Sequence, residues 1–190
     1  MILFVDACVR EGSRTRSLAE CLLSTMAGEI ETLRLYEVPF PAVDEEFLSH
    51  RDRLIEAGQY ENDMFAMARQ FAAADRIIIA APYWDLSFPA TLKQYLEQIN
   101  VLQITFRYTP EGIPEGLCRA KELYYITTAG GDFAPEDYGF GYVKALAENY
   151  YGIRTVKLIK ATGFDLVGAD PEKILKDSKE QILSTGWKEK

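Results

Sequence analysis

The sequence contains no long hydrophobic run, and this absence sets the first limit on what the protein can be. A membrane-spanning helix requires about 18 consecutive apolar residues, and no segment approaches that length. The first residues also lack the basic region and the cleavage pattern of a secretory signal. Cysteine is scarce: Cys8, Cys21 and Cys118 are widely spaced and odd in number, which favours a reducing compartment over a disulfide framework. We therefore expect a cytoplasmic protein.

Histidine is nearly absent, and no pair of cysteines has the spacing of metal ligands. The single histidine, His50, lies in a polar stretch and is more simply a solvated surface residue than a catalytic base. We therefore expect no metal site and a chemistry that proceeds without histidine.

Positive charge is in deficit, because 21 basic and 29 acidic side chains give a net charge of −8. This balance argues against a surface that binds nucleic acid or an anionic membrane. Three arginines near the N-terminus, Arg10, Arg14 and Arg16, remain candidates for binding a small anion.

Apolar residues are plentiful enough for a folded core, at 48% hydrophobic and 26% charged. With roughly 150 residues per domain as a guide, the length favours one domain over residues 1–190. The charged, helix-prone segment 43–60 predicts an insertion that lies over the body of this domain.

Strand-like and helix-like segments alternate along the chain. Strands are expected at residues 2–5, 30–36, 76–81, 122–128 and 154–161, with amphipathic helices between them and a last helix from Pro171. The nearly all-apolar segment 76–81 is typical of a central parallel strand. The pattern predicts a five-stranded parallel sheet, order 2-1-3-4-5, with helices on both faces, the three-layer flavodoxin-like plan. Residues 105–116 are expected to form a long structured loop.

In such a sheet the ligand crevice lies beyond the carboxyl ends of the strands. Three predicted loops, 7–15, 82–89 and 128–137, reach this edge. The first contains Gly12 and Ser13 at the start of a helix, where free N–H groups and the helix dipole favour a phosphate. The alternative is that Ser13 is only an N-cap and the arginines are solvated. Neither a G-x-G-x-x-G fingerprint nor a P-loop is present.

The first loop also resembles the nucleophile loop of the small tyrosine phosphatases. Cys8 is followed, after five residues, by Arg14 and Thr15, and Asp170 could serve as a late general acid. Glu11 argues against this hypothesis, since it would add negative charge to a loop that must bind a dianion.

The second loop is unusually aromatic for a connector, which suggests a planar ligand stacked on it. The alternative is a hydrophobic lid over the core. The third loop contains Gly130 and Gly131, whose backbone N–H groups could serve an oxygen-rich ring edge.

Three segments in this order, 81–93, 105–109 and 126–131, resemble the FMN-dependent NADH azoreductases and NAD(P)H quinone reductases of flavodoxin-like fold. The resemblance implies a homodimer with FMN at the subunit interface. It also implies two-electron transfer from NADH or NADPH to quinones, azo compounds or related acceptors such as nitroaromatics.

Carried over residue by residue, the resemblance implies a set of cofactor-binding positions. Ser13, Thr15 and Ser17 would hold the FMN phosphate. The flavin ring would lie along Pro82, Tyr83, Trp84, Asp85 and Leu86, with backbone N–H groups near its N5 edge. The pyrimidine edge would meet Thr128, Ala129, Gly130 and Gly131. Phe106 and Tyr108 would form an aromatic wall at the acceptor site.

The chain departs from the pattern of this family at three positions. Asp85 stands where the family usually has Asn, and a charged carboxylate there would make reduction of the flavin to an anionic state harder. Ala7 replaces a Ser, and Ala129 replaces a common Arg. The alternative function that the same scaffold allows is an electron carrier or flavin-binding protein without turnover, which would need no acceptor wall.

Overall fold

The computed structural model describes residues 1–185, so residues 186–190 of the predicted domain lie outside the described residues. The strands are β1 (Ile2–Asp6), β2 (Ile30–Arg34), β3 (Arg76–Ala80), β4 (Phe106–Tyr108), β5 (Pro114–Gly116), β6 (Glu122–Thr128) and β7 (Thr155–Ala161). The helices are α1 (Arg14–Leu23), α2 (Glu45–Glu56), α3 (Ala66–Ala73), α4 (Ala90–Ile99), α5 (Phe140–Leu146) and α6 (Pro171–Ser184).

Five of the strands form one parallel sheet in the order β2-β1-β3-β6-β7. Counting only these five strands, this is the predicted order 2-1-3-4-5, which is confirmed. The order reverses beside β1 and β3, and that reversal opens a crevice at the carboxyl edge of the sheet.

Successive side chains of a strand point to opposite faces of the sheet, so the core has two layers. Leu3 and Val5 of β1 belong to the layer that contains Phe71 of α3 and Leu92 of α4. Their neighbours Ile2 and Phe4 point to the other face and belong to the layer with α1 and α6. Both faces of the central strands are therefore buried, as their apolar sequences require.

Local capping fixes where several helices begin. Asp44 accepts the N–H of Phe47 at 2.9 Å to start α2, and Asp170 accepts the N–H of Lys173 at 3.0 Å to start α6. Pro171 then occupies the first turn, where its missing N–H costs nothing. Asp170 is thus an N-cap rather than a general acid.

The predicted segment 43–60 contains α2, whose buried residue, Leu54, belongs to the layer with α3 and α4. The other residues of α2 are exposed or partly exposed. Its status as an insertion stays a prediction. Among residues 1–185, no helix has the length and apolarity needed to cross a membrane.

Residues 105–116, predicted as a long structured loop, contain regular secondary structure. They contain an antiparallel hairpin of β4 and β5, joined across the strands by an ion pair of 2.7 Å between Arg107 and Glu115. The hairpin packs on a π-helical turn, Ala147–Tyr151, so closely that a Cβ atom at Gly116 would lie 2.1 Å from the backbone nitrogen of Gly152. The second strand is also shorter than predicted, because the chain turns into a 3₁₀ helix at Leu35.

Candidate functional site

A cavity of about 380 Å³ opens at the carboxyl edge of the sheet, within the size range of small-molecule sites, roughly 300–1,000 Å³. The three loops that the sequence predicted meet here, and the loop after β7 joins them. The lining residues are Cys8, Val9, Arg10, Gly12, Ser13, Arg14, Thr15, Pro82, Tyr83, Trp84, Thr128, Ala129, Gly130, Phe164 and Asp165.

The side chain of Arg16 forms hydrogen bonds to the backbone of the first loop. Its Nε contacts Oδ2 of the buried Asp6 at 2.6 Å, while its terminal nitrogens donate to the carbonyls of Cys8, Arg10 (2.9 Å) and Glu11 (3.2 Å). The buried Asp6 carboxylate neutralises the guanidinium of Arg16, and three backbone carbonyls bind it. Arg16 therefore stabilises the backbone conformation of the first loop. It is not among the residues that line the cavity.

Helix α1 begins at the cavity. The Ser13 hydroxyl accepts the N–H of Arg16 at 3.3 Å, and the first N–H of the helical ladder is that of Ser17, which donates to the Ser13 carbonyl. The N–H groups before Ser17 therefore lie outside the ladder, at the positive end of the helix dipole. Thr15 is fully buried and shares a hydrogen bond of 2.7 Å with the Thr128 hydroxyl, which ties the first loop to the third.

Ser17, a predicted phosphate ligand, lies outside this cavity. It lines a neighbouring depression together with Glu11 and Glu20. The Ser13 N-cap that the sequence left as an alternative is present, and it coexists with the free N–H groups rather than replacing them.

The second loop contributes Pro82, Tyr83 and Trp84 to the cavity, whereas Asp85 and Leu86 form its outer turn. Both have positive φ, 49° and 68°, and Trp84 and Ser87 close the turn by two backbone hydrogen bonds of 3.1 and 2.7 Å. This is the geometry of a type I′ turn, which glycine and asparagine favour. Leu86 is therefore held in a strained conformation at the rim.

Hydrogen bonds join the second loop to the third. The N–H of Tyr83 donates to the Thr128 carbonyl at 3.0 Å, and the Ser87 hydroxyl donates to the Tyr138 carbonyl at 2.6 Å. Trp84 and Leu86 remain 41% and 45% exposed, so these two side chains are not a lid over the core.

The loop after β7 was missed by the sequence reasoning, and it contributes Phe164 and Asp165. The N–H of Asp165 donates to the Gly130 carbonyl at 2.8 Å, and its carboxylate lies 3.2 Å from Nη1 of Arg14. The guanidinium of Arg14 also lies over the ring of buried Phe164, 4.8 Å from its centroid. Applying the strand-end rule to the fifth strand would have pointed to this loop.

The predicted third-loop residues are divided by the structure. Thr128, Ala129 and Gly130 line the cavity, and Gly131 does not. The side chain of Ala129 is buried, and as a methyl group it brings no charge to the cavity.

Phe106 and Tyr108 are not among the lining residues. Phe106 is buried in the hairpin, edge-on to Tyr150 at 4.8 Å and to Tyr108 at 5.6 Å between ring centroids. Within one chain the expected aromatic wall is therefore part of the packing between the hairpin and the π-helical turn.

Cys8 is placed for packing rather than for nucleophilic attack. Its side chain is fully buried, its Sγ–H donates to the Ala80 carbonyl at 3.6 Å, and burial raises its pKa to about 12. A phosphatase nucleophile must be a thiolate near neutral pH. With Arg14 paired to Asp165 and Asp170 used as a cap, the phosphatase hypothesis receives no structural support.

The cavity combines a cationic, N–H-rich end with an aromatic end. Three charged side chains line the cavity: Arg10 and Arg14 are cationic, and Asp165 is anionic. Within residues 1–185, no group of three or more His, Cys, Asp or Glu side chains could hold a metal ion. The arrangement can bind an elongated ligand with an anionic end and a planar end.

Comparison with known proteins agrees with this description. A family model described as "Flavodoxin-like fold" matches residues 1–185. An FMN-dependent NADH:quinone oxidoreductase of Clostridium perfringens is 32% identical over 196 residues, covering 98% of each chain. An FMN-dependent NADH:quinone oxidoreductase 2 of Clostridium acetobutylicum is 38% identical over 192 residues, covering 95% of this chain and 94% of the relative.

Solved structures share the architecture at lower identity. An azoreductase from Bacillus anthracis superposes with a TM-score of 0.83 at 23% identity, covering 97% of both chains. An FMN-dependent NADH-azoreductase from the same species, solved in complex with FMN, gives a TM-score of 0.75 at 22% identity over 97% of this chain and 96% of the other. Likeness at this level shows the fold.

Proposed function

This chain belongs to the flavodoxin-like family of the FMN-dependent NADH:quinone oxidoreductases, and on that basis we propose that it is a flavoenzyme of the same kind. It binds FMN in the cavity and transfers two electrons from NADH or NADPH to a quinone, an azo compound or a related acceptor, in a ping-pong order. When bound, FMN supplies the two-electron relay, so that NADH, one proton and a quinone yield NAD⁺ and a hydroquinone.

The observation that carries this proposal is the meeting of the α1 N-terminus with the loops after β3 and β6 around one cavity. The residues fit FMN by their chemistry. N–H groups at the start of α1 and the guanidinium of Arg14 suit a phosphate, and the exposed face of Trp84 suits a ring. Gly130 lets the backbone approach where a side chain would collide with Asp165.

Each part of the cavity then has a defined task. Ser13 and Thr15 hold the phosphate end. Pro82, Tyr83 and Trp84 orient the ring, and Thr128, Ala129 and Gly130 supply its polar edge. The chain needs no histidine or metal, because positioning and exclusion of water are its contributions.

The strained turn at Asp85 and Leu86 aligns donors beside the ring. In a type I′ turn the closing hydrogen bonds use the backbone of Trp84 and Ser87, so the N–H groups of Asp85 and Leu86 stay available to a ligand. We assign these N–H groups to the N5 edge. Ser17, Gly131, Phe106 and Tyr108 receive no role in the cavity of a single chain.

A homodimer is part of the proposal. The hydrogen bond between Ser87 and Tyr138 joins two loops that carry exposed apolar side chains at the rim. These side chains are Trp84, Leu86, Phe133 and Tyr138, with Phe133 80% exposed. Such a patch is typical of a surface that a partner covers. Sedimentation velocity should find a dimer in the wild type and a monomer in Tyr138→Asp.

The three cysteines are free, which supports the proposed cytoplasmic location.

The enzymatic test is NADH oxidation with menadione by protein reconstituted with FMN. The proposal expects turnover that depends on FMN and falls in Trp84→Ala, because FMN affinity drops by about three- to tenfold when the aromatic face is lost. Trp84→Phe should retain most of the affinity, and Leu183→Ala, which removes an exposed side chain of α6, should retain all of it. Tight FMN binding without quinone-dependent turnover would favour the electron carrier instead.

A further inference from the structure

Arg14 has two partners at the cavity, and the two differ in how easily they can be displaced. Phe164 is 2% exposed, and the guanidinium of Arg14 lies over the face of its ring. The Asp165 carboxylate, in contrast, is 69% exposed and contacts only Nη1, at 3.2 Å. Phe164 therefore fixes where the guanidinium lies, and Asp165 occupies part of its hydrogen-bonding edge.

The position of Asp165 is set by its backbone rather than by the ion pair. Its N–H donates to the Gly130 carbonyl at 2.8 Å, so its Cα remains beside the third loop whichever way its side chain turns. The carboxylate can rotate away from Arg14 without any movement of the main chain. An exposed ion pair of this kind is weak, and a phosphate dianion is a stronger partner for a guanidinium than a single carboxylate.

Arg14 is also the arginine of the first loop best placed for this exchange. Arg16 is locked by Asp6 and three carbonyls. Arg10 lines the cavity, and its guanidinium has neither an ion pair nor a ring contact with any residue between 1 and 185.

We propose that Arg14 and Asp165 form a displaceable ion pair in which Asp165 competes with the phosphate of the flavin for Arg14, and so sets how strongly the site prefers a phosphorylated flavin. This inference rests on the proposed function, because it assumes that the cavity binds FMN. Asp165 thus determines specificity through Arg14 and does not touch the reacting part of the ligand.

The test compares FMN with riboflavin, which has the same ring and ribityl chain but no phosphate. Apoprotein is titrated with each flavin by fluorescence quenching. Asp165→Asn, which keeps the backbone N–H and the size of the side chain, should bind FMN about three- to fivefold more tightly, as expected for release of a weak exposed pair. Its affinity for riboflavin should not change.

Arg14→Gln should weaken FMN binding about tenfold or more, because a charge-assisted contact is lost, with riboflavin again unchanged. In the Arg14→Gln background, Asp165→Asn should give no further gain for FMN. Asp177→Asn is the matched control, since it removes the same charge from an exposed ion pair with Lys173 on α6. It should alter neither affinity.

Three results would overturn the inference while leaving the proposed function intact. In each of them the wild type binds FMN. Asp165→Asn would leave the FMN affinity unchanged, or would change the affinities for FMN and riboflavin equally. In the third, Asp165→Asn would raise the FMN affinity by the same factor in the wild type and in the Arg14→Gln background. A wild-type protein that binds neither flavin would overturn the proposed function as well. Thermal unfolding of each apoprotein identifies any variant that fails to fold.

Discussion

The Cα atom of Gly130 faces the carboxylate of Asp165 so closely that a Cβ atom at position 130 would lie 2.2 Å from Asp165 Oδ2. The next residue, Gly131, has no atom within 4 Å of the same added carbon. Two adjacent glycines therefore have different roles: the first permits the contact between the third loop and the loop after β7, and the second lies in open space.

Gly130→Ala should lower the free energy of unfolding by about 0.5–1 kcal/mol, because Asp165 must rotate away and lose its exposed ion pair with Arg14 while its N–H stays bound to the Gly130 carbonyl. Gly131→Ala should be neutral, and urea unfolding of both apoproteins measures the difference. In the Asp165→Ala background, Gly130→Ala should cause little further loss. Equal effects of the two alanines would contradict the assignment.

Relief of the backbone strain at Leu86 should stabilise the protein, whereas Gly130→Ala should destabilise it. Leu86→Gly should raise the free energy of unfolding by about 0.5–1 kcal/mol, because glycine accepts φ near 68° without steric cost. Gln103→Gly is the control, since Gln103 has φ of 67° and does not line the cavity. Both should stabilise, and Leu86→Gly should leave the anaerobic reduction of bound FMN by NADH in stopped flow unchanged, because glycine keeps the type I′ turn and both N–H groups. Slower reduction in Leu86→Gly alone would contradict the assignment of the contact to the backbone of the turn.

Asp85 should make the bound flavin harder to reduce. Asp85→Asn removes an exposed negative charge beside the proposed ring position and should raise the two-electron midpoint potential by roughly 20 mV, because reduction adds negative charge. The potential is measured by dye-linked titration, with Asp177→Asn as the control for charge alone. A lower potential in Asp85→Asn would contradict the placement of the ring beside this turn.

Cys8 should be unreactive in the native protein. Its pKa is raised by burial from the ordinary value of 9.0 to about 12, so the thiol keeps its proton across the neutral range. The stabilisation from this shift is complete below pH 9 and is lost as the pH rises towards 12. Mass spectrometry after iodoacetamide treatment at pH 8 should find Cys8 unlabelled in native protein and labelled in urea. Cleavage of p-nitrophenyl phosphate that Cys8→Ser abolishes would instead revive the phosphatase hypothesis.

Much of the fold could be predicted from the sequence because burial on both faces leaves a strong pattern. The segment Arg76–Ala80 is almost entirely apolar, and parallel strands of this kind need crossover helices. The β4–β5 hairpin was missed because its strands have three residues each, too short for a periodic pattern. Its stability comes from packing against the distant π-helical turn, which local sequence does not reveal.

The candidate site could be predicted at the level of loops and not at the level of side chains. Thr15 and Ser17 both follow Ser13, but residues two apart on a helix point about 200° apart, so Ser17 faces away when Thr15 faces the cavity. The three arginines of the first loop also look alike in the sequence. Only the fold shows that Arg16 meets a buried carboxylate and that Arg14 meets Phe164 and Asp165, about 150 residues away.

The visible absorption spectrum shows whether this chain is an FMN enzyme that NADH reduces. Freshly purified protein should show the two bands of an oxidised flavin, and mass spectrometry of the released chromophore should identify FMN. Addition of NADH without oxygen should bleach the spectrum, and menadione should restore it. A colourless protein that takes up no added FMN, or a flavin spectrum that NADH and NADPH both leave unchanged, would contradict the proposed function.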